Sequence, residues 1–318
     1  MKFRTEIKNI NNPVKISHND KLVFLGSCFT ENIAQKMYRY KFDVLCNPFG
    51  IIYNPVSISK IINRAISQQY PDKSELIQLN GLWHHFDFHG DMSGINPDEV
   101  IDKSIIFIDS LRDYTSKASV IFLTFGTAIV YKRNDTDEIV ANNHKFPSGF
   151  FTKIRLELSE IVNLMTDTIA DLKQMNPDLK IIFTVSPVRH IKDGLIENQR
   201  SKAVLLLAIE KILSLNDCYY FPSYELLLDD LRDYRFYNED LVHPSPTAID
   251  YIWEKFAGTF FDKSTMEIIE KIEKITKSLE HHPINPESEL HKSFLANLKK
   301  EIFDFNKEYP ELKFNDLL

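Results

Sequence analysis

Two short segments, far apart in the chain, carry the residue types of an acyl-transfer site. Residues 22–29 read LVFLGSCF, an apolar run that stops at Gly26-Ser27-Cys28. Much later comes Asp240-Leu241-Val242-His243-Pro244. A serine hydroxyl is a weak nucleophile until an imidazole takes its proton and a carboxylate orients that imidazole. Ser27, His243 and Asp240 supply those three groups as nucleophile, base and orienting acid. Each also has a plainer reading. A serine at a helix start is more often a cap, and an Asp-x-x-His beside a proline fits an exposed turn. The pairing of an early serine with a late Asp-x-x-His is what favours chemistry.

These residues need elements to hold them. Residues 21–25 form a short apolar run ending at glycine, which predicts a buried strand. Phe29, Ile33 and Met37 recur every fourth residue, one face of a helix, so Ser27 falls where a strand turns into a helix. A helix N-terminus offers free N–H groups and a partial positive charge to an oxyanion. Further strands are predicted over 44–46, 119–125, 180–185 and 218–221, and helices over 55–67, 97–117, 156–175, 196–215 and 246–261. Residues 76–88 are aromatic and β-like, while 128–131 and 138–141 flank a polar turn and predict a hairpin. Strands alternating with helices predict an α/β domain with a parallel sheet covered on both faces. From residue 263 the strands cease. Residues 266–279 and 287–305 read as charged amphipathic helices, a helical extension folded onto the domain or onto a partner. The expected division is therefore a main domain over 1–262 and an extension over 263–318.

In an open parallel sheet, ligands bind beyond the carboxyl ends of the strands. That rule singles out Gly26-Ser27-Cys28, Asn47-Pro48-Phe49-Gly50, Gly126-Thr127 and Ser186-Pro187-Val188-Arg189-His190. Cys28 rivals Ser27 as a nucleophile, but a residue one step into the helix is expected to point away and stay buried and inert. Arg189 either clamps a substrate carboxylate or pairs with Asp193 or Glu197. His190 is structural or faces the substrate. His84, His85 and His89 cluster in WHHFDFH, with His144 further on. Alternation would put His85 and His89 on one face if a strand runs that far. Their spacing fits no standard zinc site, so no metal and no cofactor are expected, and these rings are expected to wall a pocket or finish the core.

The 318 residues carry a net charge of −7, with 43% apolar residues. That is a globular profile with no Lys/Arg footprint for nucleic acid. No run approaches the ~18 apolar residues of a membrane helix, so neither partner is expected. Cys28, Cys46 and Cys218 are odd in number and lack metal spacing, which suggests reduced thiols. The opening MKFRTEIKNINNPVKI has no apolar core like that of a signal peptide, so a cytoplasmic location is expected.

Several long motifs occur in order: GSCFT at 26–30, NPFGIIYNP at 47–55, TFGTAIVY at 124–131, VANNHK at 140–145, TVSPVRHIKDGLIENQRSKA at 184–203, YFPSYELLLDDLRDYRFYNEDLVHP at 220–244 and AIDYIWEKF at 248–256. Together they resemble the GSCFA-domain family over roughly residues 2–262, leaving the tail outside. That family is grouped with the SGNH, or GDSL-like, hydrolases. The resemblance implies a three-layer α/β/α sandwich with a central parallel sheet. It also implies a serine esterase acting on a carbohydrate or other small polar ester, often by removing an acetyl group. Acyl transfer through the same triad, or a non-catalytic ligand-binding module on the same fold, are the alternatives. Carried over by motif, Ser27 matches the nucleophile, Asp240 and His243 the final block, and Gly50 the oxyanion glycine. Where the superfamily has Gly-x-Asn-Asp, this chain has Gly126-Thr127-Ala128. Thr127 would then complete the oxyanion hole with Ser27 and Gly50, unless Asn142 or Asn143 reaches in. His85, Asn142, His144, Arg189 and His190 are the expected substrate-binding residues.

Overall fold

The computed structural model describes residues 4–8 and 10–314. Its centre is a five-stranded sheet, every neighbour pair parallel, in the order β10-β9-β5-β1-β2. These strands are β1 (Lys21–Gly26), β2 (Asp43–Cys46), β5 (Val120–Phe125), β9 (Lys180–Val185) and β10 (Cys218–Tyr220). The central strands are covered on both faces, and all six residues of β5 are buried. Side chains alternate across a strand, and the core divides accordingly. Leu22, Phe24, Phe122 and Ile182 join one apolar cluster, while Val23, Leu25, Ile121, Leu123, Ile181 and Phe183 join another.

Helices cover each cluster. On the first side lie α1 (Cys28–Arg39), α7 (Pro246–Phe260) and α8 (Lys263–Leu279), with Ile33, Met37, Ile252, Phe256 and Ile272 buried. On the second lie α2 (Pro55–Ser67), α3 (Pro97–Lys117), α4 (Leu158–Met175) and α5 (Leu195–Leu215). The molecule is a three-layer α/β/α sandwich. The helix starts follow capping rules: Asn54 and Asn96 accept N–H groups of the first turn, each ahead of a proline at the first helical position.

Two excursions are antiparallel. β3 (Ile77–Leu79) and β4 (Leu82–His84) pair around Asn80-Gly81, both at positive φ. The β structure then stops at His84, short of the full 76–88 stretch. Beyond β5, β6 (Ile129–Arg133) pairs with β7 (Ile139–Val140), as the polar turn predicts, and also with β8 (Phe151–Arg155). β8 was not anticipated, because only its first residue is buried and its polar side chains give no apolar alternation. After β10 the chain forms a short helical turn, α6 (Ser223–Glu225), which widens into a π-helical segment over Leu226–Leu231.

The two C-terminal helices, α8 and α9 (Glu289–Glu308), share the first apolar cluster. Ile269, Ile272, Ile275, Leu298 and Phe305 join residues of α1 and α7 there. Arg39 on α1 also reaches Glu273 on α8 and Glu280 just past its end. No helix among the described residues is long and apolar enough to cross a membrane.

Candidate active site

β1 runs to β2 on one side of the sheet, and the chain then returns to β5 on the other side of β1. The crevice at such a reversal, outside the strand ends, is where open α/β sheets bind ligands. Ser27 and Thr127 follow the two strands that flank it. Gly26 closes β1 at φ +145, with its N–H donated to Asn47 Oδ1 at 2.9 Å. Ser27 then occupies the N-cap of α1, yet its side chain makes no capping hydrogen bond. It is only 3% exposed, and Oγ has no hydrogen-bond partner. A buried unpaired hydroxyl costs about 1–3 kcal/mol, so the plain capping role does not account for this serine.

Asp240 and His243 are organised by one carboxylate. Asp240 Oδ1 accepts the N–H groups of Val242 at 2.8 Å and His243 at 3.0 Å, while Oδ2 meets His243 Nδ1 at 2.6 Å. Leu241 between them sits in the left-handed region at φ +57. The His243 N–H, then its imidazole and the Val242 N–H, hold the Asp240 carboxyl down to about 2. An ionised carboxylate only accepts hydrogen bonds. His243 Nδ1 must therefore carry a proton, which leaves the lone pair of a neutral ring on Nε2, the atom a general base uses.

Ser27 and His243 line one cavity of about 530 Å³, with Thr127, Asn142, Arg189 and His190 also in its wall. The Ser27–His243 hydrogen bond is not closed, since Oγ has no partner. Both members of the dyad are about half exposed in their side chains. Unliganded hydrolases often hold such bonds long.

The family model described as the GSCFA family matches residues 21–256. The chain belongs to the GSCFA family. A second model, the C-terminal domain of GSCFA domain proteins, matches residues 272–318, the tail that the motif resemblance left out. Among solved structures, the GSCFA chain is similar to a carbohydrate esterase family 3 protein from Talaromyces cellulolyticus. The identity is 10% and the TM-score 0.36, over 80% of this chain and 99% of that one. It is also similar to the acetyl xylan esterase Est2A from Butyrivibrio proteoclasticus. There the identity is 11% and the TM-score 0.38, over 78% of this chain and 64% of that one. Likenesses this distant carry no argument about chemistry. No curated protein matches the chain.

Several residues expected at this GSCFA site lie elsewhere or are engaged. Gly50 has φ +75, but its N–H closes a turn onto Asn47 O at 2.8 Å and is not free for an oxyanion. The Thr127 hydroxyl lines the cavity but shares a hydrogen bond with Ser201 Oγ at 2.9 Å and accepts the Ile129 N–H. Asn142 reaches the cavity, with Oδ1 accepting the His144 N–H.

His85 and His144 are not in the cavity wall. β4 stops at His84, so strand alternation never reaches His85. His85 accepts the Asp87 N–H on Nδ1 and donates from Nε2 to Glu75, whose carboxyl is held to about 2 by His85 and Arg64. His144 donates from Nε2 to the His85 carbonyl at 2.9 Å, and burial pushes it down to about 4. Both rings finish a buried network. No group of three or more His, Cys, Asp or Glu among the described residues is arranged to hold a metal.

Cys28 differs in the other direction. It shares the cavity wall with Ser27. Burial pushes its thiol up, which disfavours the thiolate a cysteine nucleophile needs. Arg189 pairs with neither expected carboxylate: Asp193 meets Lys153, and Glu197 meets Arg155 and Arg200. His190 is in the wall as expected, and burial, then Lys202, pushes it down to about 4.

Lys202 is not among the site residues that the sequence points to, yet it is buried at this site. Asn198, Ser201 and Lys202 occupy one face of α5, and that same face continues as Leu205, Ala208, Ile209 and Ile212. Polar residues in an apolar stripe were the available signal. Each tethers a segment at the cavity rim: Asn198 Oδ1 takes the His190 N–H, Ser201 Oγ takes the Ala128 N–H, and Lys202 Nζ donates to Ser186 O at 2.6 Å. Lys202 is 1% exposed, and burial pushes it down to about 7. The unfolded chain holds this proton up to the ordinary lysine range, ~10.4. Between about pH 7 and 10 the unfolded state binds more protons, so wild-type stability rises with pH across that window. Lys202→Met removes this gain. Urea unfolding at pH 6 and pH 10 is expected to show wild type improving relative to Lys202→Met by a few kcal/mol. A difference that stays constant with pH would mean the ammonium titrates normally.

Proposed function

We propose that this GSCFA protein is a serine ester hydrolase of SGNH type that removes an acyl group, acetyl foremost, from a carbohydrate or other small polar molecule. The observation that supports the reading is that Ser27 and His243 line one cavity, with His243 Nδ1 bonded to Asp240 from behind. Ser27 Oγ attacks the ester carbonyl as His243 Nε2 takes its proton. The same proton passes to the leaving alcohol, and water then releases the acyl group from Ser27 by the reverse sequence. Asp240 holds the Nδ1–H tautomer and stabilises the imidazolium. The N-terminus of α1, directly after Ser27, supplies N–H groups and positive dipole for the oxyanion. Asn142, Arg189 and His190 would contact the substrate.

A fluorophosphonate probe is expected to label wild type and to leave Ser27→Ala unlabelled, read by intact-protein mass. Equal labelling of both would remove Ser27 as nucleophile. One observation favours a non-catalytic ligand-binding module instead: the Gly50 N–H and the Thr127 hydroxyl are both engaged elsewhere. Losing one oxyanion donor costs on the order of 100- to 1,000-fold in rate. Failure of the probe to label wild type, with ligand binding intact, would support the module.

A further inference from the structure

Arg189 lines the Ser27 cavity and also borders a smaller cavity of about 110 Å³ with Tyr234. Two tyrosine rings lie beside the guanidinium: Tyr237 at 4.0 Å from its carbon and Tyr234 at 5.0 Å, the rings themselves 5.9 Å apart and tilted. Among the described residues Arg189 makes no ion pair, and its guanidinium donates one long hydrogen bond, to Leu241 O at 3.4 Å. A guanidinium carries five N–H donors in a planar fork matched to carboxylate oxygens. The two rings restrain the guanidinium without supplying a negative partner. The other charged groups of the wall do not compensate it. Lys192 adds positive charge, and the one carboxylate, Asp193, is neutralised by Lys153 at 2.9 Å. The Arg189 backbone N–H donates to Val242 O at 3.3 Å, which ties the cation to the loop bearing His243.

We infer that Arg189 is an anion subsite of this cavity, and that the substrate is a carboxylate-bearing ester. The inference rests on the hydrolase reading for its ester and on Arg189 alone for its charge. The carboxylate belongs either to the acyl part or to the alcohol part, and two matched pairs separate these sources. Monomethyl succinate against dimethyl succinate puts the charge on the acyl side. Acetoxyacetate against its methyl ester puts it on the alcohol side. Wild type is expected to prefer the charged member of one pair by about tenfold in kcat/KM, mainly through KM. Arg189→Met should bring that ratio close to one. Arg189→Lys should recover part of it, since an ammonium keeps the charge without the fork. A ratio near one for wild type in both pairs, or a preference that survives Arg189→Met, overturns the subsite. If wild type cleaves none of the four esters, the fluorophosphonate probe alone judges the hydrolase reading. Ligand-observed NMR with the same compounds then decides the subsite: charged members must bind about tenfold tighter in wild type and lose that advantage in Arg189→Met.

Discussion

His243→Ala is expected to lower kcat/KM on an acetyl ester by on the order of 10⁴-fold, without loss of fold. The ring is half exposed and packs in no core, so its removal takes away the proton acceptor and little else. Asp240→Asn tests the dyad more finely. An amide has one carbonyl oxygen to do the work of two carboxylate oxygens. If that oxygen stays with the Val242 and His243 N–H groups, the amide nitrogen faces His243 Nδ1 and forces the proton onto Nε2. The base would then be blocked, with a loss on the order of 10³-fold. Steady-state kinetics beside circular dichroism would check both variants. Retention of activity within tenfold in His243→Ala would end the assignment of His243 as base. Because the Asp240 carboxyl stays ionised down to about 2, its own protonation should leave no limb in the pH–rate profile above about pH 4.

The second large effect is on the fold. Gly26→Ala should cost about 2–6 kcal/mol. At φ +145 an L side chain is strained, and its Cβ would press into the Thr124 carbonyl oxygen and side chain on the neighbouring strand. Neither partner is a flexible tip that can step aside. Urea unfolding would measure the cost. A change below about 1 kcal/mol would mean that β1 and β5 separate more easily than this packing implies. Relief of the clash would also displace Ser27, the next residue.

The sheet was legible because its strands are buried on both faces and read as unbroken apolar runs, VFL, IFL and IIF, each stopped by Gly, Ser or Pro. The helices were legible from their four-residue rhythm and their Asn-Pro starts. β8 was not, since an exposed strand owes its place to backbone pairing with β6 and leaves no apolar signature. At the site, Ser27, Asp240 and His243 stood out because strand-end position and an Asp-x-x-His loop are local features. The fates of Gly50, His85 and His144 were not local. Gly50 spends its N–H within its own turn, and the two rings turn inward to carbonyl and carboxylate partners from other elements. Lys202 was hidden because an amphipathic pattern describes which face is covered, and says nothing of what a covered cation bonds to.

The order of the chain adds a temporal consequence. β1 and the serine that follows it emerge from the ribosome before the rest of the sheet, whereas the aspartate and imidazole follow only after the whole sheet has been made. Any nascent or truncated product lacking the loop before α7 would hold an unactivated alcohol. On the reading proposed above, the chemistry is withheld until synthesis has passed residue 243, and turnover doubles as a report that the layers have assembled.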